Sequence, residues 1–137
     1  MLSGLMPAMV TSFDERGEVD LGAAGAVVER FVEVGMSGIS PLGSTGEFPH
    51  LTGEERERFA EEVTRIVAGR VPVVVGVGAA GTRETVELAR HAEGAGADGV
   101  LVAPRSTGRS GRRSSSPTPP SSRGRSRSRP SSTTTRC

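Results

Sequence analysis

Lysine, tyrosine and tryptophan are all absent from this 137-residue sequence, so any mechanism that needs a lysine amine or a phenol is closed to the chain acting alone. The single cysteine, Cys137, is the last residue, which excludes an internal disulfide and leaves no prenylation box behind it. It reads as a free thiol. No uninterrupted apolar run approaches the ~18 residues of a membrane span, and the start Met1-Leu2-Ser3-Gly4-Leu5-Met6-Pro7 has no basic n-region. A soluble, cytoplasmic protein with no membrane partner is therefore expected. The two histidines, His50 and His91, have no partner at metal-ligand spacing, and no G-x-S-x-G elbow is present. Neither a metal site nor a serine hydrolase is expected.

Acidic, aliphatic and aromatic side chains are missing altogether from Arg105 to Cys137, a stretch of 9 Arg, 11 Ser, 5 Thr, 4 Pro, 3 Gly and 1 Cys. Such a segment has nothing to bury and is expected to be disordered. The other eight of the 17 basic residues and all 16 acidic ones precede it, so residues 1–104 carry −8 and residues 105–137 carry +9. The near-neutral total hides two opposite blocks.

What is present in residues 1–104 is an alternation of short apolar runs and amphipathic stretches. Residues 5–10 read as a buried first strand, with Pro7 limiting its ladder, followed by the polar turn Thr11–Gly17. Asp20 then caps a helix whose Leu21, Ala24, Val27, Val28, Phe31 and Val32 recur at helical spacing until Gly35. Residues 38–42 form a second strand. Thr52 and Glu55 have the form of a capping box for a second helix, with Phe59, Val63, Ile66 and Val67 on one face and Gly69 as its stop. The β-branched run of residues 71–75 is a third strand. Thr82 reads as the N-cap of a third helix carrying Val86, Leu88, Ala89 and Ala92, and residues 99–103 are a fourth strand. Continuous rather than alternating apolar strands, joined by helices, indicate a parallel sheet of β-α-β-α-β-α-β order.

Gly43-Ser44-Thr45-Gly46-Glu47 lies between the second strand and the second helix. Two hydroxyls and free backbone N–H groups in a glycine-flanked βα loop suit an anion, most simply a carboxylate. A turn whose hydroxyls only satisfy local backbone is the competing account, and position at the C-terminal end of a parallel strand favours the ligand. Gly76-Val77-Gly78-Ala79-Ala80-Gly81 has the G-x-G-x-x-G spacing, but Thr82 starts its helix after the third glycine and Asp98 precedes its strand. A plain βα turn is the better reading. The charges from Glu54 to Arg65, with Arg56, Arg58 and Arg65 among five glutamates, read as a solvated helix face.

Taken in order, Thr11-Ser12-Phe13-Asp14 with Gly17, Gly43–Glu47 with Leu51-Thr52 and Glu55, Gly69-Arg70-Val71-Pro72-Val73 and Gly94–Gly99 resemble the dihydrodipicolinate synthase and N-acetylneuraminate lyase family over residues 4 to 104. The resemblance implies a (β/α)₈ TIM barrel and class I aldolase chemistry without a cofactor. Family members form a Schiff base between a lysine on a later strand and pyruvate or another 2-keto acid, while a tyrosine relays protons. By position Ser44 matches the relay hydroxyl, and Ser44 and Thr45 match the donors that bind the substrate carboxylate. Ser12 stands where the family has proline, so Thr11 receives no role. Synthase (4-hydroxy-tetrahydrodipicolinate synthase-like), sialic-acid lyase and sugar-acid aldolase or dehydratase readings all stay open.

The resemblance stops at Arg105, before the tyrosine pair, the Schiff-base lysine and the second half of a barrel of ~250 residues. Residues 1–104 are thus expected to be the N-terminal half of a TIM barrel, inactive alone, and residues 105–137 an out-of-frame tail from GC-rich coding sequence. The alternative is a nucleic-acid-binding protein acting through Arg123–Arg129, whose Arg-Ser repeats bind polyanions by charge, with no aromatic to stack bases. Full-length family members are homo-oligomeric, and a half barrel with open edges is expected to self-associate.

Overall fold

The computed structural model describes residues 3–103, and the expected disordered tail lies outside them. Within that range the elements follow the expected alternation: α1 (Leu21–Glu33), α2 (Gly53–Val67), β1 (Val74–Gly76), α3 (Thr82–Gly94) and β2 (Gly99–Leu101). Two further extended segments, residues 7–9 and 39–41, complete the sheet through parallel bridges Ala8↔Ser40 and Ile39↔Val73. With the parallel pairing of β1 and β2, the spatial order equals the chain order, as successive right-handed βα units require.

The strands are shorter than the sequence suggests, and proline explains why. Pro7, Pro41 and Pro72 have no N–H to give to a ladder. Their carbonyls still accept, from Ser40, Gly76 and Ile39 at 3.0, 2.9 and 2.9 Å. The first two expected strands therefore reduce to single bridges, and the third is regular only from Val74.

The helices start where their caps dictate. The Asp20 carboxylate accepts from the Ala23 N–H at 2.9 Å. At α2 the Thr52 hydroxyl accepts from the Glu55 N–H and the Glu55 carboxylate accepts from the Thr52 N–H, closing the capping box. At α3 the sequence reading needs correction: Gly81 is the N-cap, without a side-chain bond, and Thr82 is the first helical residue. The Thr85 hydroxyl instead donates back to the Gly81 carbonyl at 3.1 Å.

One face of the sheet packs on the helices. Met9, Ile39, Val73, Val75 and Val77 are buried there against Ala24 and Val28 of α1, Phe59, Val63 and Val67 of α2, and Leu88 and Ala92 of α3. Gly25 lets α1 approach α2 closely, since a Cβ there would meet the Ile66 Cδ1 at 3.2 Å. Arg70 joins the same pair from outside with a two-pronged bond to Glu29 at 2.6 and 2.8 Å. Beyond α3 the cover stops. Val86, Val100, Leu101 and Val102 are exposed although each belongs to an apolar run or stripe of the sequence.

Candidate functional site

Parallel segments end together at one rim of the sheet, where the second segment delivers the Gly43–Glu47 loop. Leu42 and Glu47, at its two ends, both hold left-handed backbone conformations (φ 58° and 54°). Between them Ser44–Gly46 forms a single 3₁₀ turn, closed by bonds from the Gly46 N–H to the Gly43 carbonyl and from the Glu47 N–H to the Ser44 carbonyl. Ser44 and Thr45 are exposed on it, and among the described residues neither their amide N–H groups nor their hydroxyls have a hydrogen-bond partner. Four exposed donors of the turn, two amides and two hydroxyls, are therefore left to solvent or a ligand among the described residues. That geometry weighs against the purely local role for these hydroxyls.

Three groups outside the loop hold it in place. The Thr11 hydroxyl, buried at the end of the first segment, donates to the Gly46 carbonyl at 2.7 Å. Gly46 itself is buried against the Met9 carbonyl, which would stand 3.0 Å from an added Cβ. Gly76 accommodates the Leu42 peptide, whose carbonyl oxygen would lie 2.1 Å from any Cβ at position 76. The left-handed Leu42 and the glycine of the neighbouring strand are thus one device.

Arg56 overturns its sequence reading as part of a solvated face. It is 4 % exposed, and its Nη2 donates to the carbonyls of Gly78 at 2.9 Å and Gly76 at 3.4 Å. Its guanidinium also lies over the Phe48 ring, 5.2 Å from the centroid. Burial pulls its pKa below the usual arginine value, opposed by the charge of Glu84. The signal was present in the periodicity: position 56 falls on the stripe of Phe59, Ala60, Val63 and Val67 that α2 buries. In the Gly76–Gly81 stretch, carbonyls point at a cation, the opposite of amides cradling a phosphate. The plain-turn reading of that motif stands.

Arg56, Phe48, Glu84 and Ser44 line a cleft of about 400 Å³ that opens beside the loop. Away from it, His91 Nε2 of α3 lies 3.1 Å from Glu61 Oε1 of α2 without a hydrogen-bond alignment. His50 is exposed at the end of a second 3₁₀ turn, Phe48–His50.

A sheet of parallel βα units, with exposed donors gathered at the carboxyl ends of its segments, has the strand order of part of a (β/α)₈ barrel. Sequence comparison makes this specific. The model of the dihydrodipicolinate synthetase family matches residues 1–104, and the chain belongs to that family. It is 51% identical over 102 residues to the 4-hydroxy-tetrahydrodipicolinate synthase of Bartonella henselae and 48% identical over 102 residues to that of Brucella abortus, each alignment covering 74% of this chain and 35% of the relative. Among solved structures, dihydrodipicolinate synthase from Aquifex aeolicus superposes with a TM-score of 0.70 at 44% identity, covering 72% of this chain and 33% of that one. YagE from E. coli K12, a family member solved in complex with pyruvate, gives 0.73 at 39% identity, covering 74% and 34%. The chain thus spans about a third of the length of the relatives it matches.

Proposed function

We propose that the Gly43–Glu47 loop is the carboxylate-binding part of a 2-keto-acid site, with pyruvate the simplest ligand. The observation that carries this reading is the set of free donors on Ser44 and Thr45, fixed at a strand-end rim in a chain of this family. A carboxylate placed there gains charge-assisted bonds from two N–H and two O–H groups already held in position. Such a contact orients the keto carbon toward the barrel axis and leaves the Ser44 hydroxyl close enough to pass a proton. Thr45 binds and Ser44 both binds and relays.

Carbon–carbon or carbon–oxygen lyase chemistry through a Schiff base needs two more groups. A lysine of lowered pKa forms the imine that serves as electron sink, and a phenol carries the proton to and from Ser44. Neither residue type exists in this sequence. The 137-residue chain is therefore a carboxylate-binding half-site, inactive by itself. The Arg-Ser alternative finds no support in these relatives, and Arg123–Arg129 lies outside both the matched and the described residues. Self-association through the uncovered sheet belongs to the same reading.

Incubation with pyruvate and borohydride tests the chemistry. The expected outcome is no adduct on residues 3–103 and no aldolase or lyase turnover, and either one would overturn the assignment of an incomplete site.

A further inference from the structure

We propose that two copies of this chain close a single eight-stranded parallel barrel, each copy setting the free edge of β2 against the residue 7–9 segment of the other. The proposal rests on the family reading above and adds a specific partner and geometry to it.

Among the described residues, both edges carry unpaired backbone groups. In the first segment the Pro7 carbonyl and the Met9 N–H face inward to Ser40, so by strand alternation the polar groups of Ala8 face out. At the other edge the Gly99 N–H donates to Val73 and the Leu101 carbonyl accepts from Val77, so those of Val100 face out. Each edge is a template for a parallel neighbour.

The side chains agree. The pairings 8↔40, 39↔73 and 74↔99 place Ala8, Ser40, Val74 and Gly99 on one face of the sheet, with Val10 and Leu101 two residues further along. The helices cover the opposite face. Val10 and Leu101 are each 48 % exposed in consequence, and Ala8 is exposed as well. Residues 105–137 contain no aliphatic or aromatic side chain to contribute to an apolar face.

A second copy supplies what is missing in the required number. Four parallel segments from each of two copies make eight, the count at which inward side chains fill a barrel without leaving a channel. All strands stay parallel when the two-fold axis coincides with the barrel axis. Each β2 then meets a residue 7–9 segment at two identical seams, which closes the assembly at two copies. Both Ser44–Gly46 turns lie on the same rim.

Sedimentation of the full chain tests the pairing. The expected species has twice the 14.2 kDa chain mass. A cooperatively melting monomer overturns the proposal, as does an open series of larger oligomers. Ala8→Pro and Val100→Pro each remove one outward N–H and no inward bond. Each alone should weaken the dimer roughly tenfold or more, one bond being lost at each of two seams. Combining both substitutions in one chain should weaken the dimer further, because each seam then lacks two bonds. Dimers of Ala8→Pro as tight as the parent, or a double variant as tight as either single one, would show that β2 pairs in another way and overturn the proposal. If either proline variant loses its helical circular dichroism, Val10→Asp and Leu101→Asp carry the same predictions on exposed side chains. Pyruvate-induced shifts at Thr45 report on the site separately: a dimer that ignores pyruvate refutes only the site, and a monomer that responds to it refutes only the pairing.

Discussion

At the scale of single residues, the loop depends on contacts that its own sequence does not announce. Thr11 satisfies the buried Gly46 carbonyl through one hydrogen bond of 2.7 Å. Thr11→Val keeps the shape and removes the donor, which should cost about 1–3 kcal/mol of stability, read by urea unfolding, and should broaden the amide signals of residues 43–47. Thr11→Ser should restore both. Gly76→Ala places a methyl 2.1 Å from the Leu42 carbonyl oxygen, a backbone clash that no rotamer relieves. A loss of about 1–3 kcal/mol is expected, with loop signals shifted as well. Parental stability in Gly76→Ala would mean that Leu42 is not held in its left-handed conformation. Ser44 and Thr45 were legible in the sequence because glycines flank them at a strand end. Thr11 and Arg56 were not: a threonine reaching 35 residues along the chain leaves no local pattern, and a charged residue within a charged helix reads as solvated despite its place on the apolar stripe.

At the scale of elements, local chemistry settles where helices begin. Thr52→Ala opens the capping box of α2 and should lower stability by about 1 kcal/mol, visible as a lower thermal midpoint. Glu55 is held below the usual carboxylate range by its backbone and side-chain bonds with Thr52. Glu29 is lowered by Arg70 and Glu62 by Arg65 in the same way. A folded pKa below the unfolded one means these groups contribute stability above the ordinary glutamate value of about 4.3, lost as pH falls through their lowered folded values. Thermal midpoints should therefore drop on acidification below that value, and less steeply in Thr52→Ala. A midpoint that rises there would contradict the sign. Helix caps at Asp20 and Thr52 were readable because a capping side chain bonds within three residues. Strand lengths were not, since they depend on which carbonyls find partners across the sheet and which N–H groups proline removes.

At the scale of the whole molecule, the order of strands and helices followed from apolar runs of two lengths, and the family motifs fixed the barrel to which they belong. What the runs could not show is how abruptly the cover ends. Val86, Val100 and Val102 have the composition of a core and stand exposed, because the layer that would bury them is not among the described elements. For residues 105–137 we propose an out-of-frame origin. Translation of the downstream nucleotides in the other two frames should yield a tyrosine pair soon after Pro104 and a lysine further on, and neither frame doing so would contradict an out-of-frame origin.

The central claim is that a carboxylate site persists in this chain without the groups that would use it. A backbone-amide NMR titration of the full chain with pyruvate addresses that claim directly. Saturable shifts should concentrate at Ser44, Thr45 and Gly46, with a dissociation constant on the order of millimolar as befits a few exposed hydrogen bonds, and should vanish in Ser44→Ala/Thr45→Val. Shifts absent from residues 43–47, or unchanged in the double variant, would contradict the account.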